Sequence, residues 1–239
     1  MKAVYKDNYE KQLLDDFFRS TSYGIYVDIG GNTPLNSVST QFHEKGWKGL
    51  IVEPIPENVS LFLKAGRSNI WEGAVTSPGK AQAGTAVFHI AGGEYGPHSS
   101  LEKNLISPSS RTSKSITVNL STVNKLMKEY DLSHIDFLSI DTEGTEVDVL
   151  RGTDLQGLNV RLALIEDWAR DFSIHSYMRS KGYKLVRRTG FNSWYVKNGE
   201  KFPVSIYGYL QLFRKYILGM PARRLRHWRH ERMHVKNKY

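Results

Sequence analysis

The segment SIDTEGTE, residues 139–146, sets Asp141, Glu143 and Glu146 within six positions, directly behind the largely apolar run Ile135–Ile140. Carboxylates can take protons from hydroxyls, accept hydrogen bonds from them and hold cations. They are costly where a buried strand ends unless something neutralises or pairs them. The same arrangement recurs along the chain: Asp28 follows Gly24–Val27, Glu53 follows Leu50–Val52, Glu72 follows Ile70 and Trp71, and Glu166 and Asp167 follow Leu162–Ile165. In an open parallel sheet, ligands bind beyond the carboxyl ends of the strands. The sequence therefore gathers acids at one such rim.

A rim of that sign repels a pyrophosphate, and the chain has no G-x-G-x-x-G although Gly30 and Gly31 are present. It suits a ligand that is cationic, carries a ribose diol and has no phosphate. S-adenosylmethionine meets that description, because its ammonium and sulfonium favour carboxylates and its ribose needs one acidic acceptor at the end of the second strand. Glu53, 25 residues after Asp28, stands at the interval for that acceptor.

The elements that must position these acids alternate as strand and helix, the pattern of a parallel sheet covered by helices. Strands are expected at 24–30, 48–53, 70–75, 85–90, 116–120, 135–140 and 161–166. Helices are expected over 35–46, from Pro56 to about Ala65, from a Ser121 cap to Tyr130, over 146–150 and over 173–181. The runs 183–188 and 193–196, separated by Thr189–Asn192, read as a closing hairpin. Residues 91–115, rich in Gly, Ser and Pro, read equally as a lid or binding loop and as a plain insertion. No internal repeat is visible.

The ordered blocks VDIGGN (27–32), VEPIPEN (52–58), GAVT (73–76) and SIDTEGTEVDVLRG (139–152) resemble the motif series of the FkbM-type methyltransferases. The resemblance spans roughly residues 24–168. It implies a Rossmann-like class I methyltransferase fold, α/β with a seven-stranded, mostly parallel sheet and a C-terminal antiparallel hairpin. It further implies S-adenosylmethionine as cofactor and a hydroxyl of a sugar or similar natural product as acceptor. By position, the resemblance makes Asp28, Gly30 and Asn32 the loop around the methionine portion and Glu53 the ribose acceptor. Ala74 would line the adenine pocket and Asp141 would stand near the reacting centre. The family generally carries glycine where this chain has Pro34, whose backbone cannot donate a hydrogen bond.

A hydroxyl acceptor benefits from a general base, worth about 10² to 10⁴ in rate. Asp141, Glu143, Glu166 and His98 are the candidates, and His175 reads as a helix-surface residue. Glu146 has a second, structural reading, since an acid in the first turn of a helix stabilises it by about 0.3–1 kcal/mol. Asp141, Glu166 and Asp167, at the ends of neighbouring strands, are also oxygen ligands that suit Mg²⁺; the cofactor's charge accounts for the same acids, so a divalent metal stays open.

Composition bounds the remaining classes. With 239 residues, 40% hydrophobic and 24% charged, the chain can build one ordinary core. It has no cysteine, which excludes disulfides, thiolate nucleophiles and Cys-based zinc sites. The start has no signal-peptide pattern, and no run approaches the ~18 apolar residues of a membrane span, so the chain reads as soluble and cytoplasmic. The net charge of +9 is uneven: residues 207–239 hold nine Lys and Arg against Glu231 alone, which leaves +1 for residues 1–206. We therefore divide the chain into a methyltransferase domain, 1–206, and a basic amphipathic tail, 207–239. The tail fits an anionic membrane surface at the inner face of a membrane, an apolar stripe docked on the body with solvated arginines, or RNA. Nucleic acid is disfavoured because positive charge is nearly confined to the tail. The reading that results is an O-methyltransferase acting on a saccharide or glycan-type acceptor. The alternatives are an RNA methyltransferase and a non-catalytic nucleotide-binding or membrane-associated protein of the same fold.

Overall fold

The computed structural model describes residues 3–91, 96, 99–102, 112–169, 171–202 and 206–225. Its strands are β1 (Ile25–Ile29), β2 (Lys48–Glu53), β3 (Ile70–Glu72), β4 (Ala74–Val75), β5 (Thr85–Ala91), β6 (Thr112–Ser121), β7 (Phe137–Ile140), β8 (Leu162–Glu166), β9 (Tyr183–Thr189) and β10 (Asn192–Lys197). The helices are α1 (Ala3–Phe17), α2 (Thr40–Glu44), α3 (Pro56–Lys64), α4 (Pro78–Ala81), α5 (Val123–Glu129), α6 (Glu146–Arg151), α7 (Ser173–Ser180) and α8 (Ile206–Phe213).

Seven strands form one sheet in the order β3-β2-β1-β7-β8-β10-β9. The first five run parallel, and β10 is antiparallel to both neighbours. The expected mostly parallel sheet with a closing hairpin is therefore present. The central strands β1, β7 and β8 are buried along their whole lengths, which explains why they read as near-continuous apolar runs.

Side-chain alternation sorts these strands into two cores. Ile25, Val27, Ile29, Leu50, Val52, Leu138, Ile140, Ala163 and Ile165 meet α5, α6 and α7 on one face. Tyr26, Ile51, Phe137, Leu162 and Leu164 meet Leu13, Leu14, Phe42 and Phe62 on the other. Asp28, Glu53, Asp141 and Glu166 share the parity of this second set, so one face of the sheet carries all four to the same edge.

Register completes the placement. Asp28 pairs with Ile51 on one side and with Ser139 on the other, and Ile140 pairs with Ile165. One step further along β7 and β8, Asp141 stands beside Glu166.

Several expectations change in detail. The expected strand 70–75 is two strands, because Gly73 (φ 159°) turns the chain out of the main sheet. A Cβ there would lie 2.6 Å from the Trp71 ring and 2.7 Å from the Asn119 carbonyl. Beyond it, β4 joins a second, three-stranded sheet, β4-β6-β5, that the sequence did not announce. The helix expected over 35–46 shortens to α2, and α1 is a helix the pattern did not suggest. The cap of α5 is Thr122, whose Oγ1 accepts from the Lys125 N–H at 3.2 Å; Ser121 still belongs to β6.

Candidate active site

The carboxyl edge of the sheet opens into a cleft of about 220 Å³. Asp28, Glu53, Asp141 and Glu143 line it, and among its described lining residues there is no Lys or Arg. On the other side Ile55, Ala74, Phe88 and Leu101 make an apolar wall; the first three belong to the small core beneath the second sheet. Gly96, Ser99 and Leu101 are the described residues of the 91–115 segment that reach the cleft.

Glu53 ends β2 with its carboxylate held from three sides. Oε1 accepts from the Ile55 N–H at 3.0 Å and from Asn58 Nδ2 at 3.2 Å, and Oε2 accepts from the Asn32 N–H at 2.9 Å. Oε2 therefore retains capacity for a further donor on the cleft side. Burial pushes the Glu53 carboxyl up to about 7, against the pull of those three hydrogen bonds.

The loop after β1 is fixed just as closely. Asp28 accepts from Ser37 Oγ at 2.5 Å, and burial raises its carboxyl while Ser37, Ser39, Ser139 and the Arg67 charge oppose the rise. Arg67 itself is buried, bonded to the Tyr26 hydroxyl at 2.7 Å and to Thr40 Oγ1 at 3.0 Å. Gly30 has φ 79°, and a Cβ on it would lie 1.8 Å from the Asp141 carbonyl. Only glycine lets the β1 and β7 loops cross there. Asn32 (φ 55°) also takes the left-handed conformation, which presents its N–H to Glu53. The Pro34 carbonyl accepts from Thr40 Oγ1 at 2.6 Å.

The three acids of the opening segment have separate fates. Glu146 is buried, and its Oε1 accepts from Gly144 N–H (2.8 Å), Thr142 Oγ1 (3.1 Å) and Thr142 N–H (3.3 Å). It holds the turn and does not face the cleft. Glu143 (φ 55°) and Gly144 (φ 110°) reverse the chain over it and put Glu143 on the cleft wall.

Asp141 is open to the cleft but deep within it. Desolvation, followed by the charges of Glu143, Glu146 and Asp28, raises its carboxyl. Water in the open cleft relieves part of that desolvation, and a ligand that fills the cleft restores it. Glu166 lies just behind the wall, buried, and Asp141, Glu143 and Glu166 each offer an oxygen within 4.8 Å of the others. Desolvation and the Asp141 charge raise Glu166 as well. It accepts a hydrogen bond from the Trp168 side chain, while its Oε2 is buried without a partner among the described residues. The two carboxyls are coupled and titrate as a pair, and the side-chain hydrogen bond between them favours ionised Asp141.

These positions correct part of the sequence reading. Asp167 is turned away: its carboxylate accepts from the Ala169 N–H at 2.6 Å and from Ser193 Oγ at 3.0 Å, 3.6 Å from Arg188. The oxygen set that could hold a divalent cation is accordingly Asp141, Glu143 and Glu166. Glu72 faces a separate shallow depression with Ile116–Asn119. His175 is not on the helix surface; it is half-buried against Tyr195 and Tyr216, and desolvation lowers its pKa. His98 lies outside the described residues.

Comparison with known proteins decides what this cleft belongs to. Residues 28–185 match the methyltransferase FkbM domain. The chain belongs to the FkbM methyltransferase family. No curated protein matches it. The matched segment of this methyltransferase runs from Asp28 to β9 and includes every acid on the cleft wall.

Sequence reasoning missed several groups that shape the site of the enzyme. Ser37, Ser139 and Asn58 pair the acids; Ser139 and Asn58 stand in the motif blocks without having been given a role, and nothing in the local pattern marked Ser37. Trp168 and Phe191, outside the cleft lining but joined to the acid cluster through the Trp168 hydrogen bond to Glu166, also escaped it. Their rings stack at 4.8 Å and 29° beside Glu166, brought together by the Asp167 N–H donating to the Phe191 carbonyl at 2.8 Å. Both are substantially exposed, at 36% and 48%. Their contact joins the end of β8 to the β9–β10 turn, a pairing that single-segment patterns do not contain.

Proposed function

We propose that this chain is an S-adenosylmethionine-dependent O-methyltransferase of Rossmann-like, class I topology, acting on a hydroxyl of a saccharide or glycan-type acceptor. The observation that carries the donor assignment is the sign of the cleft: four acids and no described Lys or Arg on its wall. Such a wall favours a sulfonium nucleoside and disfavours phosphate-bearing cofactors or an RNA backbone.

S-adenosylmethionine supplies a methyl group activated by a sulfonium centre. Glu53, with acceptor capacity left on Oε2, would hold the ribose diol. Asp28, Gly30 and Asn32 would surround the methionine end, and Ile55, Ala74 and Phe88 offer a flat apolar wall for adenine. Asp141 would take the acceptor's hydroxyl proton, and Glu166, holding its own proton, would position it. Alignment of the acceptor in a water-poor cleft does the rest of the work.

The acceptor class rests on the exposed Trp168–Phe191 stack beside Glu166. Aromatic faces at a site rim pack against the C–H faces of sugar rings while leaving hydroxyls free for polar neighbours. Calorimetry with S-adenosylhomocysteine, followed by transfer of labelled methyl to a panel of glycosides, tests the reading. Binding and glycoside methylation are expected; tight binding of NADH in its place would overturn the donor, and methylation of RNA alone would overturn the acceptor.

A further inference from the structure

α8 and the π-helical turn that continues it, Arg214–Leu218, carry one apolar face docked on the body and, beside it, a second that is exposed. Leu212, Tyr216 and Met220, spaced by four, pack on Ala169 and Leu185 of the body. Arg223 locks this docking by donating to the carbonyls of Ala169 (3.2 Å) and Tyr216 (3.1 Å). The other face is apolar too. Ile206, Tyr209, Leu210, Phe213 and Ile217 recur at three- and four-residue intervals and are 42–83% exposed. An anchored helix with its apolar stripe turned outward is a surface built to be covered.

The charge around the stripe says by what. Residues 206–225 contain Arg214, Lys215, Arg223 and Arg224 and no acid, and the remaining fourteen add five more Lys and Arg against Glu231. Arg214, Lys215 and Arg224 are exposed. Burial and then the charges of Arg187, Arg214 and Arg188 lower the Lys215 pKa, the signature of a locally positive surface. A second copy of the chain laid on this face would bring like charges together with no acid of the segment to offset them. No helix among the described residues is long and apolar enough to cross a membrane.

We propose that the outward stripe of residues 206–218, with the flanking arginines and lysine, docks the protein on an anionic lipid bilayer. The helix lies in the interface plane, its apolar side chains among the acyl chains and its cations at the headgroups. Because it is packed on Ala169, the residue after Trp168, docking brings the acceptor rim close to the bilayer. This last point rests on the function proposed above; the docking itself does not.

Flotation of the full chain with phosphatidylcholine vesicles, with and without phosphatidylserine, tests it. Binding is expected to the anionic vesicles and to fall steeply with added salt. Lys215→Ala and Arg224→Ala should each weaken it about fivefold. Phe213→Ser, at a position 54% exposed, should leave the thermal melt unchanged and weaken binding about tenfold or more. Failure to bind anionic vesicles, or equal binding to both compositions, overturns the proposal. So does a dimer in light scattering that Phe213→Ser dissolves. Methyl transfer to a soluble glycoside is read separately, so loss of one activity leaves the other standing.

Discussion

The backbone N–H of Asn32 donates to Glu53 Oε2 at 2.9 Å, tying the loop after β1 to the end of β2. The bond sets the carboxylate at the floor of the cleft with one oxygen only partly used. Hydrogen bonds between hydroxyls and a buried carboxylate contribute about 1.5–3 kcal/mol each. Glu53→Gln removes the charge with little change in shape and should weaken S-adenosylhomocysteine binding by about 10²-fold, read by calorimetry. Glu53→Ala is a poorer probe, since it strands the N–H groups of Asn32 and Ile55 together, whereas the Gln amide strands the donors of one oxygen and keeps the other's. Unchanged affinity in the Gln variant would remove the ribose role.

The same carboxyl makes the free enzyme sensitive to pH. Its folded pKa is about 7 against an ordinary 4.5, so between those values the folded state binds more protons than the unfolded one. The stabilisation, about 3 kcal/mol, is fully present below the lower value and is lost as pH rises through 7. Asp28 shifts in the same direction. Melts of the ligand-free protein should therefore show highest stability in mild acid and a decline toward pH 8. A cationic ligand favours the ionised acids, so its binding should tighten over the same interval and release protons. Calorimetry in two buffers of different ionisation heat measures that release, and a flat profile would contradict it.

What the sequence revealed and what it hid divide along physical lines. Asp28, Glu53 and Asp141 were legible because each ends a run whose burial is written in Ile, Leu and Val, and alternation fixes the face. Glu166 was legible for the same reason, being one step past Ile165. Glu143 was also named for the site, but its place in the possible metal set, where Asp167 was expected, was not legible. It depends on left-handed conformations at Glu143 and Gly144, and Glu is not a residue that announces one. The split at Gly73 was hidden for a related reason, since Ala74 and Val75 continue an apolar pattern while changing sheets. Helix α1 buries Leu13 and Leu14 next to exposed Lys11 and Gln12, too thin a stripe to read without its partners Phe42 and Phe137.

Asp141 and Glu166 are assigned different parts in proton transfer, and substitution separates them. Asp141→Asn should lower kcat by about 10² to 10⁴ with donor affinity nearly kept. Glu166→Ala removes the hydrogen bond that favours ionised Asp141, so the acid limb of the kcat profile should move to higher pH. Glu166→Gln can still donate and should return that limb close to its original position. Turnover is expected to be insensitive to EDTA, because the sulfonium of the proposed donor would supply the positive charge these acids need. Loss of activity with EDTA, restored by Mg²⁺, would instead make Asp141, Glu143 and Glu166 metal ligands.

The aromatic pair offers the most direct test of the acceptor. Trp168 does two things: its ring stacks on Phe191, and its side chain hydrogen-bonds Glu166. Truncating it would disturb both binding and proton transfer, so Trp168→Ala should raise the acceptor KM and lower kcat together. Phe191 stacks on Trp168 but belongs to the hairpin turn and not to the acid cluster, and it is about half exposed. Phe191→Ala should therefore raise the acceptor KM about tenfold, the worth of an aromatic contact plus its buried area, with kcat held. Trp168→Phe keeps a ring and loses the donor, so it should show the reverse, a kcat loss with KM nearly unchanged. Steady-state kinetics with any methylated glycoside reads this split. Equal effects of Phe191→Ala on kcat and KM would mean that the stack supports the active-site wall and does not carry the sugar.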